Sequence, residues 1–409
     1  MIVVVMKPHE NGIVVVRLLQ VFQTFAMTMS VCSAILVFMT ISEKKLSDNL
    51  KSASRHIPEI MHACLFYGPL DIRYEQIPTP KINENEILVK VNTVLTGGTD
   101  LKTFKRGHPV LIKSVPSTFG HQFSGTVVKA GKNVKKFSCD QRVVSLNSAP
   151  CFECNFCKKK RFSLCENIEF LNGAYAQYIA IPERIVEYNT YEIPENLDFE
   201  MAAELESLAV VVHGYERSKI TKDKTICVIG TGSIGLLFVA LAKLNGVKVV
   251  SLGRNPLKLN IAKEIGADFT LNTKNYSEEE LIKEINSLTN NHGPEVVIEA
   301  VGLPETWELA TKIVGKGGLV NFFGGCKKGT KVELDTFRLH YDELKLIGVF
   351  HHMPEYVQKA LDLLASGSFE KIIRKIITKT VPLRELKNAF LLHESQEVIQ
   401  IAVKPEEYR

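Results

Sequence analysis

The sequence has no internal repeat, no low-complexity segment and no strong excess of charge of one sign. Its net charge of +5 is spread along 409 residues, and no basic run alternates with aromatic side chains, so nucleic-acid binding has little support. Hydrophobic residues make up 45% and charged residues 23% of the chain, which are values typical of a globular protein. A chain of this length can form two domains with a large hydrophobic core.

Cysteine is present in an odd number, nine, and four of the cysteines form one compact run. The run reads C-F-E-C-N-F-C-K-K-K-R-F-S-L-C and contains Cys151, Cys154, Cys157 and Cys165. Four thiolates that can close on one point suit a tetrahedral zinc ion and leave no position open for a substrate. The run therefore predicts a structural zinc site.

The same cysteine run could also hold an iron–sulfur cluster or form two disulfide bonds. The cluster is the main alternative to zinc, but the bacterial ferredoxin run closes with a three-residue gap and a proline. Here the last gap has seven residues and Glu166 follows it. Two disulfide bonds are the second alternative, although the nucleotide site predicted below indicates a reducing compartment.

The first sixty residues contain a candidate transmembrane segment. Residues 18–42 carry no charged side chain and, as a helix, would be long enough to span a bilayer. More Lys and Arg follow this segment than precede it, which would place the bulk of the protein on the cytoplasmic side. The segment is polar for a spanning helix, however, and Met61 opens a sequence typical of the start of a soluble domain. We expect a cytoplasmic protein in which residues 1–60 are an upstream misread of the start codon. The alternative is a membrane-anchored protein whose catalytic domains face the cytoplasm.

Residues 225–252 carry the pattern of a βαβ unit. An apolar, β-branched run at 225–229 is followed by G-T-G-S-I-G, an apolar helical stretch at 236–244 and a second apolar run at 247–252. This is the G-x-G-x-x-G motif in the strand–turn–helix context that dinucleotide binding requires. A glycine-rich turn in an unrelated α/β protein is the weaker alternative.

Each residue of this motif has a predicted role in holding a pyrophosphate. Gly230 makes the tight turn, Gly232 lets the backbone approach the pyrophosphate, and Gly235 lets helix and strand pack closely. The free N–H groups at the helix start, at Ser233 and Ile234, would face the phosphates.

The end of the second strand favours NADP over NAD. NAD-binding folds place Asp or Glu there to accept hydrogen bonds from the ribose 2′-hydroxyl, but this sequence has Gly253. No carboxylate would repel a 2′-phosphate, and Arg254 could pair with one through its planar guanidinium. We predict NADP as the cofactor, with NAD possible if Arg254 is only a solvated residue at the helix start.

The two halves of the chain differ in periodicity. After the glycine motif, apolar strands alternate with helices, which predicts a doubly wound parallel sheet. The further strands are predicted at 267–271, 295–300, 319–324 and 344–350, and the helices at 256–265, 278–288 and 305–313. Residues 61 to about 210 instead contain short alternating strands broken by Gly and Pro turns, which predicts a β-rich domain. Examples are 87–91, 125–129 and 141–146.

Further short motifs follow Met61 in a fixed order. They are G-G-T-D at 97–100, G-H at 120–121 before F-S-G, G-A-Y-A-Q-Y at 173–178 and E-S-L-A at 206–209. Together with the cysteine run and the glycine motif, they give the chain from Met61 onward a resemblance to the medium-chain, zinc-containing alcohol and polyol dehydrogenases. The resemblance implies an α/β protein with a GroES-like, β-rich catalytic domain, a Rossmann domain and an active site in the cleft between them.

The resemblance also implies domain limits and a reaction. The catalytic domain would span 61–212 with its zinc loop at 151–165, the Rossmann domain would span 213–350, and residues 351–409 would return to the catalytic domain. The reaction would be hydride transfer between a nicotinamide and the alcohol or carbonyl carbon of a small-molecule substrate. We expect a homo-oligomer, a dimer or a tetramer.

Three positions depart from the family's pattern at its catalytic zinc. Zinc-dependent members begin the G-G-T-D motif with a cysteine ligand, where this chain has Gly97. The family's Gly-His-Glu ends here in Gln122, and Ser207 replaces the proline after Glu206. His121 and Glu206 remain as possible ligands, but the loss of a thiolate and a carboxylate removes two negative charges. The sequence therefore predicts at most a weak catalytic zinc site.

The predicted catalytic residues are Thr99, His121 and Glu206. Without a Lewis acid, a hydroxyl or an imidazole must protonate the carbonyl oxygen, and Thr99 or His121 would serve. The alternatives are a turn-capping role for Thr99 and a purely structural histidine at position 121. Two functions fit: an NADP-linked oxidoreductase of the alcohol dehydrogenase type, and a nucleotide-binding protein of the same fold without dehydrogenase activity.

Overall fold

The computed structural model describes residues 57–405 of the chain. Within this range the strands are β1 (Ile60–Gly68), β2 (Asp71–Pro78), β3 (Ile87–Leu95), β4 (Ser117–Thr118), β5 (Phe123–Ala130), β6 (Arg142–Ser145), β7 (Ser148–Ala149), β8 (Glu169–Phe170), β9 (Tyr178–Ile181), β10 (Thr190–Glu192), β11 (Thr225–Ile229), β12 (Lys248–Gly253), β13 (Phe269–Asn272), β14 (Val296–Glu299), β15 (Leu319–Phe322), β16 (Lys345–Gly348), β17 (Ile377–Pro382) and β18 (Gln400–Lys404).

The helices of the same range lie between these strands. They are α1 (Gly98–Arg106), α2 (Asn155–Lys158), α3 (Glu183–Asn189), α4 (Phe199–Ala203), α5 (Leu205–Arg217), α6 (Ser233–Leu244), α7 (Pro256–Ile265), α8 (Glu278–Leu288), α9 (Pro304–Ile313), α10 (Thr336–Tyr341), α11 (Pro354–Ala365), α12 (Glu370–Ile376) and α13 (Leu386–Glu394). Short 3₁₀ turns lie at Phe162–Leu164, Thr273–Asn275 and Leu383–Glu385.

The candidate transmembrane segment at 18–42 lies outside the described residues. Of the predicted extension at 1–60, only the last four residues fall inside them. No helix between residues 57 and 405 combines the length and the hydrophobicity needed to cross a membrane.

The front half of the chain, residues 61 to about 210, is β-rich, as predicted, and β3 lies at its centre. β3 pairs antiparallel with β5, with β9 and with β18 from the C-terminal end of the chain. The resulting seven-stranded sheet has the order β10-β6-β5-β3-β18-β17, with β9 added on β3. β3 continues four residues past the predicted end at Val91. The sequence-based prediction stopped before the polar Thr93, which is buried here and accepts a hydrogen bond from Lys404 Nζ at 2.6 Å.

The second half contains a six-stranded, fully parallel sheet. Its strand order is β13-β12-β11-β14-β15-β16, and helices separate consecutive strands. This is the order 3-2-1-4-5-6 of a Rossmann sheet, with the topological switch point between its first and fourth strands, β11 and β14. The predicted doubly wound parallel sheet is confirmed.

Local signals in the sequence explain the helix boundaries in this sheet. α7 begins at Pro256, after Asn255 has capped the N–H groups of Leu257 and Lys258, and it ends before Gly266 at φ +118°. By contrast, α6 begins at Ser233, three residues before the predicted start. The apolar pattern starts only at residue 236, because the first turn of this helix is the polar end of the glycine motif.

The C-terminal segment connects the two halves. The predicted strand at 344–350 ends already at Gly348, and His351 has φ +65°, which no regular strand allows. α11 packs against α5, and β17 and β18 then join the front sheet through β3. The residues that follow β16 therefore lie beside the front half of the molecule.

Candidate functional site

The glycine motif forms a tight turn between β11 and α6. Gly230 has φ +112°, which L side chains rarely adopt, and a Cβ at Gly235 would lie 1.9 Å from the carbonyl oxygen of Gly230. A Cβ at Gly232 would meet nothing within 4 Å. Gly232 is the N-cap of α6, so the first N–H groups of the helix, at Ser233 and Ile234, have no intrahelical acceptor. The turn therefore leaves open space beside free donors, which suits a pyrophosphate.

The end of β12 offers cations and no carboxylate. A Cβ at Gly253 would lie 2.7 Å from Thr231 Oγ1, so the turn leaves no room for an acidic side chain there. Arg254 is exposed, and Lys258 in the first turn of α7 is only 9% exposed. No carboxylate of residues 57–405 pairs with either side chain, and burial lowers the pKa of Lys258. The sequence-based prediction missed Lys258, although its position four residues after Arg254 was an available signal.

The four cysteines of the predicted zinc site converge on one point. Their Sγ atoms all lie within 4.8 Å of one another, with Cys151 and Cys157 at 3.9 Å and Cys151 and Cys165 at 3.4 Å. Sulfur atoms bound tetrahedrally to one zinc ion at about 2.3 Å are roughly 3.8 Å apart. Between residues 57 and 405 this is the one group of three or more His, Cys, Asp or Glu side chains whose ligand atoms converge.

Backbone N–H groups donate hydrogen bonds to sulfur atoms in the cysteine lobe, residues 151–165. The Cys154 N–H donates to Cys151 Sγ at 3.4 Å. Cys165 Sγ accepts from the Cys151 N–H at 3.2 Å and from the Asn167 N–H at 3.3 Å. Hydrogen bonds from the backbone lower the pKa of Cys154 to about 6 and also lower the pKa of Cys151, whereas burial raises the pKa of Cys157 to about 12 and raises that of Cys165. Since a metal binds the thiolate form, the donor set fits a zinc ion held by all four cysteines.

His121 is buried and held by a carboxylate. Its Nδ1 lies 2.8 Å from Asp100 Oδ1, and Asp100 Oδ2 accepts from Tyr175 OH at 3.0 Å and from the Gly97 N–H at 3.2 Å. Burial alone would lower the pKa of His121, but the Asp100 carboxylate and the charge of Glu206 raise it to about 9. His121 Nε2 makes no hydrogen bond to another residue of the described range. The arrangement therefore holds a protonated imidazole with one N–H free.

Gln122 connects the elements around the family's catalytic metal position. Its Nε2 donates to Glu206 Oε2 at 2.7 Å and to Ser207 Oγ at 2.8 Å, and Gln400 Nε2 donates to its Oε1 at 3.4 Å. Gln122 and Glu206 are 5% and 7% exposed. A Cβ at Gly97 would lie 3.1 Å from Gln122 Oε1, so the amide fills the space in front of Gly97.

Thr99 is the second residue of α1 and half-exposed. Its hydroxyl makes no hydrogen bond to another residue of the described range, while its carbonyl oxygen accepts from Thr103 Oγ1 at 2.9 Å. Asp100 caps this helix instead, because its Oδ2 accepts a hydrogen bond from the N–H of Gly97. Thr99 therefore presents a free hydroxyl one residue from the carboxylate that holds His121.

Two histidines after β16 were missed by the sequence-based prediction. Ser148 Oγ lies 2.5 Å from His351 Nε2 and 3.4 Å from His352 Nε2, and His352 Nε2 lies 3.2 Å from Asn147 Oδ1. Burial and the charge of His121 lower the pKa of His351 to about 3, so it is neutral. Both belong to the segment after the parallel sheet, whereas Ser148 belongs to the front half, so these contacts connect the two halves near His121.

Comparisons with known proteins agree with this architecture. Residues 83–194 match the alcohol dehydrogenase GroES-like domain, and residues 233–366 match the zinc-binding dehydrogenase family. The chain is 31% identical over 349 residues to sorbitol dehydrogenase of Bombyx mori, which covers 84% of this chain and 98% of that protein. It is 29% identical over 358 residues to sorbitol dehydrogenase of Bacillus subtilis (strain 168), with 85% and 98% covered.

A solved structure from Sinorhizobium meliloti 1021, assigned as a zinc-binding dehydrogenase and bound to NADP, is also similar. It superposes with a TM-score of 0.77 at 29% identity and covers 85% of this chain and 100% of that one. The front half described above is thus a GroES-like domain, and the parallel sheet is a Rossmann domain. The chain belongs to the zinc-containing medium-chain dehydrogenase/reductase superfamily.

Proposed function

We propose that the protein is an NADP-dependent oxidoreductase that works without a catalytic zinc. It transfers a hydride between the nicotinamide and the carbon of a small alcohol, polyol or carbonyl compound, and it carries one structural zinc. The observation that carries the proposal is the position of Gln122. Its Nε2 lies 2.7 Å from Glu206 Oε2, and the neighbouring Gly97 has no side chain that could bind a metal. The reaction class is supported by the sorbitol dehydrogenases among its relatives.

A catalytic zinc does not fit the residues present. Gln122 uses both N–H groups of its amide on Glu206 and Ser207, so the Glu206 carboxylate already has a donor where a metal would otherwise neutralise it. A glutamate at position 122 would instead put two buried carboxylates in contact, which only a cation or a shared proton could stabilise. The amide N–H of Gln122 therefore stabilises the Glu206 carboxylate in place of a metal ion, and no step of the reaction goes through a metal.

His121 is the proposed acid for carbonyl reduction. Asp100 fixes Nδ1 and keeps the ring protonated, which leaves the Nε2 proton available to a substrate oxygen. In the oxidative direction the neutral ring would accept the proton from the alcohol. Thr99, whose hydroxyl is free, is the proposed neighbour that orients the substrate oxygen.

The pH dependence of turnover follows from the raised pKa of His121. Reduction needs the protonated ring, so we expect its rate to be level below pH 8 and to fall through about pH 9, whereas alcohol oxidation should rise over the same range. His121→Gln should lower turnover by about 10² and remove the break near pH 9. Steady-state rates between pH 6 and 10 measure both effects. If Thr99→Val abolished turnover while His121→Gln left the rate and the pH break intact, the hydroxyl would be the acid.

The cysteine lobe is expected to hold one zinc ion per chain. Cys154→Ser should remove that ion and lower the melting temperature by about 10 °C, because the binding energy of a structural zinc is part of the folding energy. Cofactor affinity should change little. Cys139→Ser is the matched control, since Cys139 lies outside the lobe and its thiol donates a hydrogen bond to the Val128 carbonyl. Elemental analysis that found iron, or no metal, in protein purified without chelators would contradict a zinc site.

We also propose a homo-oligomer that forms through the β16 edge of the parallel sheet. β16 is the last strand of the order, so no strand of residues 57–405 pairs with one side of its backbone, and that side can pair with another strand. Phe337 and Tyr341 on the neighbouring α10 are each 66% exposed, with ring centroids 4.5 Å apart, and Phe350 after β16 is 59% exposed. Such a patch of aromatic side chains beside an open strand suits a second copy of the chain.

The oligomer is tested by light scattering after size-exclusion chromatography. The unmodified protein should elute as a dimer or tetramer, and Phe337→Asp combined with Tyr341→Asp should shift it toward a smaller species. Leu391→Asp is the control, because Leu391 is 48% exposed on α13, in a different part of the fold. A monomeric unmodified protein, or a double variant of unchanged mass, would show that this edge is not the interface.

Turnover on a substrate panel tests the proposed reaction itself. Sorbitol, simple alcohols, aldehydes and ketones are each supplied with NADP⁺ or NADPH, and absorbance at the nicotinamide band is followed. We expect measurable rates with at least one polyol or carbonyl compound. NADPH binding without any turnover across the panel would favour the alternative, a nucleotide-binding protein of the same fold.

A further inference from the structure

A cavity of about 770 Å³ opens at the edge of the parallel sheet opposite the glycine motif. Val296, Leu319 and Lys345, which begin β14, β15 and β16, line it, together with the end of α5 at Arg217. The glycine motif follows the carboxyl end of β11, so the cavity lies on the amino-terminal side of the sheet. Glu206 is the second residue of the same helix, eleven residues and about 16 Å before Arg217. The cavity is therefore separate from the active-site cleft and from the cofactor turn.

The cavity combines an apolar floor with a cationic rim. The floor is formed by Val296, which is 1% exposed, and by the half-buried Leu319 and Ile347. The rim carries five cationic and two acidic side chains. The cationic ones are Arg217, Lys219, Lys224, Lys316 and Lys345.

Both acidic side chains of the lining are already engaged. Glu216 Oε1 pairs with Lys359 Nζ at 2.8 Å, and Glu295 Oε2 accepts from the Thr225 N–H at 2.8 Å. Among the rim cations, Lys316 lies 3.4 Å from Asp342, whereas the other four have no ion pair with any residue of the range 57–405. A concave surface with unneutralised cations concentrates anions, and a volume of this size is usual for a small-molecule site.

We propose that this cavity is a second ligand site, which binds a small organic dianion with an apolar body. Two of the four cations without an ion pair, Arg217 and Lys345, would bind the anionic group, and the guanidinium of Arg217 suits the paired oxygens of a phosphate monoester or a carboxylate. The apolar body would cover Val296, Leu319 and Ile347. A phosphate monoester and a carboxylate share this chemistry, and the probes of the test distinguish between them.

The site is tested by ligand-observed NMR titration of the full chain with four probes. Phenyl phosphate and phthalate each carry an aromatic body and two charges; inorganic phosphate lacks the body, and benzyl alcohol lacks the charge. We expect at least one aromatic dianion to bind about tenfold more tightly than inorganic phosphate or benzyl alcohol. The stronger of phenyl phosphate and phthalate identifies the anionic group. Binding should weaken as salt is raised, because the rim is exposed.

Two double variants locate the binding. Arg217→Gln with Lys345→Gln should weaken the aromatic dianion by about tenfold or more, whereas Lys158→Gln with Lys159→Gln, the same charge change in the cysteine lobe, should not. A third variant, Arg254→Gln, reports any binding of the probe in the cofactor crevice. Equal binding to both double variants, loss of binding only with Arg254→Gln, or no binding of either aromatic dianion would each overturn the proposal.

Discussion

Replacing Gln122 with Glu is expected to destabilise the folded protein by about 3 kcal/mol or more in metal-free buffer at pH 8. The substitution exchanges the Nε2 donor at 2.7 Å from Glu206 Oε2 for a second carboxylate, in a site where both residues are almost fully buried. Two carboxylates at this distance cannot both stay ionised without a cation. Denaturant unfolding measures the loss, which should shrink as the pH is lowered, because one shared proton restores a donor.

Gln122→Met is the matched control for this experiment. It removes the same donor without adding a charge, so the loss should be smaller, about 1–3 kcal/mol for an acceptor left unpaired. A Gln122→Glu variant as stable as the unmodified protein in the presence of a chelator would show that the amide does not take the place of a positive charge at Glu206.

The same residue links stability to metal binding. Gly97→Cys combined with Gln122→Glu should bind a second zinc ion per chain, because it restores the thiolate and the carboxylate that the site lacks. A Cβ at position 97 lies 3.1 Å from the Gln122 amide oxygen, so Gly97→Cys alone should bind no second zinc while the amide occupies that space. If zinc polarisation is the missing effect, alcohol oxidation should rise together with the second zinc. A second zinc already present in the unmodified protein would contradict this reading of Gly97 and Gln122.

The second large effect is expected at the end of β12. NADPH should bind more tightly than NADH, and Arg254→Ala should weaken NADPH by roughly 10- to 100-fold, since one charge-assisted contact contributes about 1.5–3 kcal/mol. NADH affinity should be nearly unchanged. Lys258→Met should add to the effect, because this buried ammonium has no carboxylate partner between residues 57 and 405. Fluorescence titration of both nucleotides into the unmodified protein and the two variants measures the six affinities.

An exposed lysine elsewhere on the Rossmann domain provides the control. Lys283→Ala removes one positive charge from the exposed side of α8 and should leave the ratio of the two affinities unchanged. Equal affinities for NADPH and NADH in the unmodified protein would show that Arg254 does not bind the 2′-phosphate.

The parts of the fold that the sequence predicts are those specified by neighbouring residues. The β11 strand and the helices α7 and α8 have the predicted bounds, because apolar periodicity, Asn255 and Ser277 as caps, and Gly266 as a stop all act locally. The four cysteines span only fifteen positions, so their spacing alone indicates that they can converge. Glycine positions likewise predict the phosphate turn, because only glycine accepts its backbone geometry.

The parts that the sequence misses depend on contacts between distant segments. Gln400 reaches Gln122 across 278 positions, and His351 reaches Ser148 across 203 positions. No local pattern encodes these pairs, because they exist only once β18 has joined β3 and the segment after β16 lies beside the front half. The sequence shows that Gln122 is an amide, but its role beside Glu206 depends on this packing.

The measurement that tests the central claim most directly combines zinc content with activity after chelation. Protein purified without chelators is analysed for zinc per chain, and its NADPH-dependent rate on the best substrate of the panel is followed during brief exposure to a chelator that leaves the cysteine-bound zinc in place. We predict one zinc ion per chain and an unchanged rate. Two zinc ions per chain, with activity lost as the second one leaves and restored by added zinc, would show that the protein uses a catalytic metal after all.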